Sequence, residues 1–141
     1  MLVYFDSSAL VKLLVEEDGS DVAAALWDGC DAALSSRLAH PEVSAALAAA
    51  HRNHHLDDGQ LRRCLHTWSR FWSAMRSVEL TEVVEGHAAR LAVGHALRGA
   101  DAVHLASALA VDDPALVVAV WDRRLRAGVI GEDLAVAPAS I

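Results

Sequence analysis

Four acidic residues, Asp6, Glu42, Asp101 and Asp122, occupy positions from which carboxylates can reach a common point. Asp6 directly follows the apolar run Leu2-Val3-Tyr4-Phe5, Asp122 directly follows a longer apolar run ending at Trp121, and Asp101 opens a helix-like segment, with Glu42 early in another. In open parallel sheets the carboxyl ends of the strands line a crevice where ligands bind, so acids placed just after strands are well sited to converge. Carboxylates crowded into one pocket raise each other's pKa unless a hard cation neutralises them. Magnesium takes oxygen ligands and keeps several waters, and manganese suits the same donors. Such a cation lowers the pKa of bound water and neutralises charge on phosphoryl oxygens, which is the chemistry of phosphodiester hydrolysis. Each acid also has a plainer use. An aspartate at a helix start caps free amide groups and complements the helix dipole, and a helical glutamate is commonly solvated. Spacing alone leaves both uses open.

The elements that must position these groups follow from apolar periodicity. Residues 2–5 are a short run of strand formers, and Asp6-Ser7-Ser8 opens a helical pattern through Ala9, Leu10, Leu13 and Leu14 that Gly19 is expected to end. A second helix carries Val22, Ala25 and Leu26 up to Gly29, a weak strand covers residues 31–35, and a helix of mixed Ala and Leu runs over residues 37–53. Pro41 would clash with the carbonyl four residues back. That helix therefore either kinks at Pro41 or begins there with Glu42 in its first turn. Asp57 is a candidate N-cap for a helix reaching Arg76, with Leu61, Leu65, Trp68, Phe71, Trp72 and Met75 on one face. A strand at residues 78–80 precedes a Thr81-capped helix carrying Val84, Ala88 and Leu91. From Ala100 a helix apolar almost all round should be buried, and Asp112-Asp113-Pro114 ends it. Residues 116–121 read as a strand covered on both faces, residues 122–127 as a short basic helix stopped by Gly128, and residues 134–136 as an edge strand. This alternation predicts one α/β domain over residues 1–141: a central parallel β-sheet flanked by helices on both faces.

Composition narrows the function classes. The chain has 141 residues, 54% of them hydrophobic, which suits a globular domain rather than a disordered segment. Cys30 and Cys64 lack CxxC spacing, so neither a disulfide framework nor a zinc knuckle is expected, and a reducing cytoplasm is the natural compartment. No apolar stretch approaches the length needed to span a bilayer. The N-terminal run lacks the basic flank and cleavage site of a signal peptide. A net charge of −7 argues against binding nucleic acid through a broadly basic surface. Contact with a polyanion must be local, through bound cations or clustered basic residues, for which Lys12, Arg37, Arg98, Arg123, Arg124 and Arg126 are candidates. Arg37 and Arg123 flank the acids and are favoured, beside the alternative that each lies on a solvated helix face.

The segments around the four acids, VYFDSSALVKLLVEE, SSRLAHPEVSAALAAA, LRGADAVHLASAL and LVVAVWDRRLRAGV, occur in order over nearly the whole chain. Together they resemble the PIN-domain family, and within it the VapC-like toxins of bacterial and archaeal toxin–antitoxin pairs. The resemblance implies that Asp6, Glu42, Asp101 and Asp122 are the family's acidic quartet, holding one or two divalent cations. It implies an endoribonuclease that cleaves RNA, usually as a homodimer, and that is inhibited by a cognate antitoxin whose C-terminal segment covers the acidic pocket. The hydroxyl that the family places after its first aspartate is matched by Ser7 or Ser8, of which Ser7 is preferred; both also suit a helix entry. Many relatives carry Ser or Thr two residues before the fourth acid, where this chain has Val120.

Two other groupings invite chemistry. His51, His54 and His55 lie three and four apart, but histidines near a helix C-terminus are favoured by its dipole, and no HExxH or Cys-His pairing accompanies them. His104 lies one turn after Asp101 and could touch the pocket, although a hydrogen-bonded core histidine is the simpler reading. Trp68, Phe71 and Trp72 read as helix packing or a dimer surface rather than a nucleotide platform. The rival functions are a magnesium-dependent phosphatase or phosphotransfer domain and a non-catalytic binding module of the same fold. The first would want a second acid where Ser8 stands, and the presence of all four acids argues against the second.

Overall fold

Five short parallel strands carry the site, in the order β3-β2-β1-β4-β5. The computed structural model describes residues 1–141. The strands are β1 (Leu2–Phe5), β2 (Ala32–Ser36), β3 (Arg76–Val78), β4 (Val117–Ala119) and β5 (Ala135–Ala137). β1 is central, pairing Val3 with Ala33 of β2 and with Val117 of β4. Seven helices complete the domain: α1 (Ser7–Val11), α2 (Ser20–Gly29), α3 (Ala39–Arg52), α4 (Asp58–Ala74), α5 (Glu82–Gly94), α6 (Gly99–Ala110) and α7 (Arg123–Gly131).

Alternation along β1 divides the core. Val3 and Phe5 face one layer, packed with Leu10, Val43, Leu47 and Trp68 from α1, α3 and α4. Tyr4 faces the other, with Leu91, Leu105, Leu125 and Val129 from α5, α6 and α7. Both layers are apolar because a parallel sheet is covered on both sides. The α6 segment is buried along most of its length, as its nearly continuous apolar character predicts. No helix is long and apolar enough to cross a membrane.

Several boundaries depart from the periodic reading. The first helix stops at Val11 instead of running to Gly19. Ser20 ties the following turn, its hydroxyl accepting from Glu17 N–H and donating to the Val15 carbonyl, while Leu13, Leu14 and Val15 pack on the β1 core. Gly19 begins α2 rather than ending α1, with φ +90° and a Cβ position only 2.7 Å from Trp121 Nε1, so both conformation and space demand glycine. α4 has the expected Asp57 cap, reinforced by a capping box with Gln60, but it ends at Ala74. Pairing of Arg76 with Leu34 draws residues 76–78 into the sheet, two residues earlier than the strand expected at 78–80. Gly128 does not stop α7. A Cβ there would lie 3.3 Å from Leu105 and Leu97, so the glycine allows close packing inside the helix. Pro41 stands in the first turn of α3, where its missing N–H has no intrahelical partner to lose, and Glu42 shares that turn.

Candidate active site

The strand order reverses beside β1, whose neighbours β2 and β4 lead to opposite edges of the sheet. Asp6 leaves the end of β1 and Asp122 follows β4, so both stand at the switch point where parallel sheets open a crevice. α3 and α6 bring Glu42 and Asp101 to the same crevice from their first turns. All four acids line one open cleft of about 680 Å³, together with Ser7 and His104.

Two of the acids are also caps. Asp6 accepts from Ala9 N–H at 2.8 Å and is bridged by Ser8, whose hydroxyl lies 3.1 Å from each carboxylate oxygen. Asp122 accepts from Leu125 N–H at 2.9 Å. Capping and a place in the cleft are thus compatible uses of one side chain. Asp6 is only 4% exposed. Burial pushes its carboxyl up to about 6; His104, the Ala9 amide and Ser8 oppose the rise, and the Asp101 carboxylate adds to it. Asp101 is also raised, first by burial and then by the Asp122 carboxylate. Glu42 differs: burial raises it, but hydrogen bonds from His104 and Ser7 together outweigh that and hold it below the ordinary range.

Ser7 and Ser8 divide the hydroxyl's work. Ser8 serves Asp6, while Ser7 donates to Glu42 Oε1 at 2.6 Å. His104 Nε2 approaches the same Oε1 at 2.7 Å, and its Nδ1 lies 2.7 Å from the Tyr4 hydroxyl. Tyr4 is missing from the residues singled out by sequence, because an aromatic in a buried strand reads as core. The available signal was spacing: Tyr4 and Asp6 point to one side of β1, and His104 follows Asp101 by three residues on one helical face. The core reading of His104 is incomplete, since it is buried at 3% exposure yet also lines the cleft.

The basic residues separate. Arg37 is exposed, ion-paired with Glu79, and outside the cleft lining. Arg123 lines a second groove of about 540 Å³ with Arg98 and Arg124, contiguous with the cleft through Asp101, Trp121 and Asp122. Lys12 bonds Glu17 and the Asp18 carbonyl and lies over the Trp121 ring at 5.2 Å, forming one wall of the cleft. Arg126 is buried and donates to backbone carbonyls of Val120 and Ala139. Val120 is fully buried in the core. Among the other groupings, His51 bonds Asp58. Trp68 is 2% exposed, and Trp72 stacks on His40 with centroids 4.9 Å apart. The aromatic stripe is therefore largely helix packing.

No three His, Cys, Asp or Glu side chains form a closed group arranged to hold a metal ion. The donor chemistry still fits a hard cation, because magnesium commonly takes one or two carboxylates and keeps its remaining waters. Burial is the first cause of the raised Asp6 and Asp101 carboxyls, and the neighbouring carboxylates add to it, so both groups would gain from a cation in the cleft.

Comparison with known proteins bears on the family and the fold. Residues 3–127 match the PIN domain family. The chain is 66% identical over 140 residues to Ribonuclease VapC45 of Mycobacterium tuberculosis (strain CDC 1551 / Oshkosh) and equally to Ribonuclease VapC49 of strain ATCC 25618 / H37Rv, covering 99% of this chain and 97% of each relative. Similar folds occur in FitAcB from Neisseria gonorrhoeae (TM-score 0.69, 20% identity, 95% of each chain) and in a toxin–antitoxin complex from Klebsiella pneumoniae (TM-score 0.65, 20% identity, 99% of each chain).

Proposed function

This chain belongs to the PIN-domain family, and on that premise we propose that it is a divalent-metal-dependent endoribonuclease, the toxin of a VapBC-type toxin–antitoxin pair. The observation that carries the reading is the meeting of Asp6, Glu42, Asp101 and Asp122 in one cleft at the switch point of the sheet. Curated relatives at 66% identity are named ribonucleases.

Asp6 and Asp101, the acids whose carboxyls are raised, would hold Mg2+ or Mn2+ directly, with Asp122 and Glu42 acting through water. The chemistry supplied by the bound cation is activation of water and neutralisation of charge on the scissile phosphate. Ser7 helps hold Glu42. Arg123, with Arg98 and Arg124, forms no ion pair within the protein and borders the groove leading from the cleft, so these guanidiniums are available for RNA phosphates. The pairing of Arg37 with Glu79 gives it a smaller part. A cognate antitoxin would cover the acidic cleft with a basic segment, which the net charge of −7 favours. Homodimerisation, which is usual for the family, is part of the same proposal. Such a pair would work in the cytoplasm, consistent with the free Cys30 and Cys64.

The test is cleavage of an oligoribonucleotide by antitoxin-free protein in Mg2+ or Mn2+, with excess chelator as control. Cleavage that persists undiminished in chelator would overturn the metal mechanism. Release of phosphate from a small monoester without RNA cleavage would favour a phosphatase instead.

A further inference from the structure

Glu42 is held by one oxygen and free at the other. Its Oε1 lies 2.6 Å from Ser7 Oγ and 2.7 Å from His104 Nε2, whereas Oε2 has no hydrogen-bond partner within the protein and the side chain lines the cleft. The carboxylate is thus tethered from behind, leaving one oxygen for the reacting centre.

The tether is itself anchored in the sheet. Tyr4 is fully buried, and its hydroxyl accepts from Ser36 N–H at 3.0 Å. Its own hydrogen remains available for His104 Nδ1, 2.7 Å away. That places the proton of a neutral imidazole on Nε2, where it points at Glu42 Oε1. The opposite tautomer would set the Nε2 lone pair against a carboxylate oxygen, and its one donor would be the Ser7 hydroxyl at 3.1 Å, whose hydrogen is already directed at Glu42 Oε1 at 2.6 Å. The imidazole of His104 cannot swing away, since both ring nitrogens are bonded and the residue is 3% exposed on the buried helix α6. Hydrogen bonds thus run without a gap from the backbone of β2 through Tyr4 and His104 to Glu42.

We propose that Tyr4 and His104 are positioning residues for the nuclease reaction: Tyr4 sets the His104 tautomer, and His104 with Ser7 fixes Glu42 so that Oε2 is presented to the cleft. The inference rests on the ribonuclease reading for its catalytic consequence, but the arrangement of hydrogens can be measured without activity. Correct placement of a reacting or water-orienting group is sensitive to displacements near 1 Å, for which losses of about 100-fold are typical.

Three variants separate positioning from bulk. His104→Leu removes both ring bonds, His104→Gln keeps a donor near the place of Nε2, and Tyr4→Phe removes one hydroxyl from an otherwise unchanged ring. Long-range proton–nitrogen NMR of the His104 ring should show the Nε2–H form in the wild type and a mixture in Tyr4→Phe. On an oligoribonucleotide with Mn2+, His104→Leu should lower kcat by about 100-fold and Tyr4→Phe by about 10-fold, with KM within about twofold of wild type. His104→Gln should recover most of the loss, and Mn2+ affinity measured by calorimetry should change little in all three. A wild-type ring protonated on Nδ1 alone would overturn the proposal. Equal losses in Leu and Gln variants of unchanged melting temperature would overturn it too, as would a loss confined to KM. A wild type that binds Mn2+ and shows the Nε2–H ring yet leaves RNA intact would refute the ribonuclease reading while leaving the assigned hydrogen-bond arrangement standing.

Discussion

Replacing Asp6 with asparagine should stabilise the metal-free protein while removing its response to metal. Asp6 is 4% exposed, and its carboxyl is raised from 3.8 to about 6 chiefly by burial. A rise of that size corresponds to about 3 kcal/mol of stability withheld when the group is ionised. The direction follows from linkage. Because the folded-state value lies above the unfolded one, this carboxyl favours the fold most below pH 3.8, loses that contribution as pH rises towards 6, and contributes no further change above it. Asparagine keeps an oxygen that can accept from Ala9 N–H, so the α1 cap survives, and it carries no charge to bury. Chelator-treated Asp6→Asn should therefore be more stable than wild type by about 2 to 3 kcal/mol at pH 7.5, or roughly 6 to 9 °C in Tm for a domain of this size. Near pH 5 the advantage should fall to about half, and below pH 4 it should vanish. Mg2+ at about 1,000 times its Kd should reverse the order of the two proteins, since it adds about 4.1 kcal/mol to the protein that binds it and nothing to one that does not. Scanning calorimetry of both proteins between about pH 3 and about pH 7.5, with and without Mg2+, measures every part. A metal-free variant less stable than wild type at neutral pH, or one that Mg2+ stabilises equally, would refute the burial argument or the metal assignment respectively.

Glu42→Gln should retain measurable Mn2+ binding in calorimetry and slow RNA cleavage by about 10 to 10⁴-fold, the range for loss of an acid–base or water-positioning group; unchanged cleavage would remove Glu42 from the site. Changing Arg98, Arg123 and Arg124 together to glutamine should raise KM for an oligoribonucleotide and flatten its salt dependence without altering Mn2+ affinity, whereas Arg37→Gln should do much less. Trp68→Ala should destabilise the fold by about 3 to 5 kcal/mol in chemical denaturation, because the side chain is almost fully buried; loss of RNA binding at unchanged stability would instead make it a nucleotide platform.

Local pattern was enough to predict the parallel α/β fold and to bring the four acids into question. A carboxylate immediately after a strand-forming run must emerge at that strand's carboxyl end, so the places of Asp6 and Asp122 follow from the sequence once the strands are parallel. Thr81 and Asp57 cap their helices as expected, because capping involves only amides three residues away. Elements that end through distant contacts were legible only in part. The strand at Arg76–Val78 is set by its pairing with β2, and Gly128 answers to Leu105 and Leu97 rather than to its own helix. Arg37 flanks an acid in the sequence, yet folding turns it towards Glu79. The bond between Tyr4 and His104 joins residues 100 apart in the chain, and neither residue type nor spacing says which buried hydroxyl will meet which imidazole. Helical and strand periodicities decide which face a side chain occupies, but only the packing of α6 against the sheet decides what it touches there. Sequence by itself therefore determined that Asp6 and Asp122 emerge at strand ends, and tertiary structure decided that α3 and α6 bring Glu42 and Asp101 to the same crevice and how Glu42 is held there.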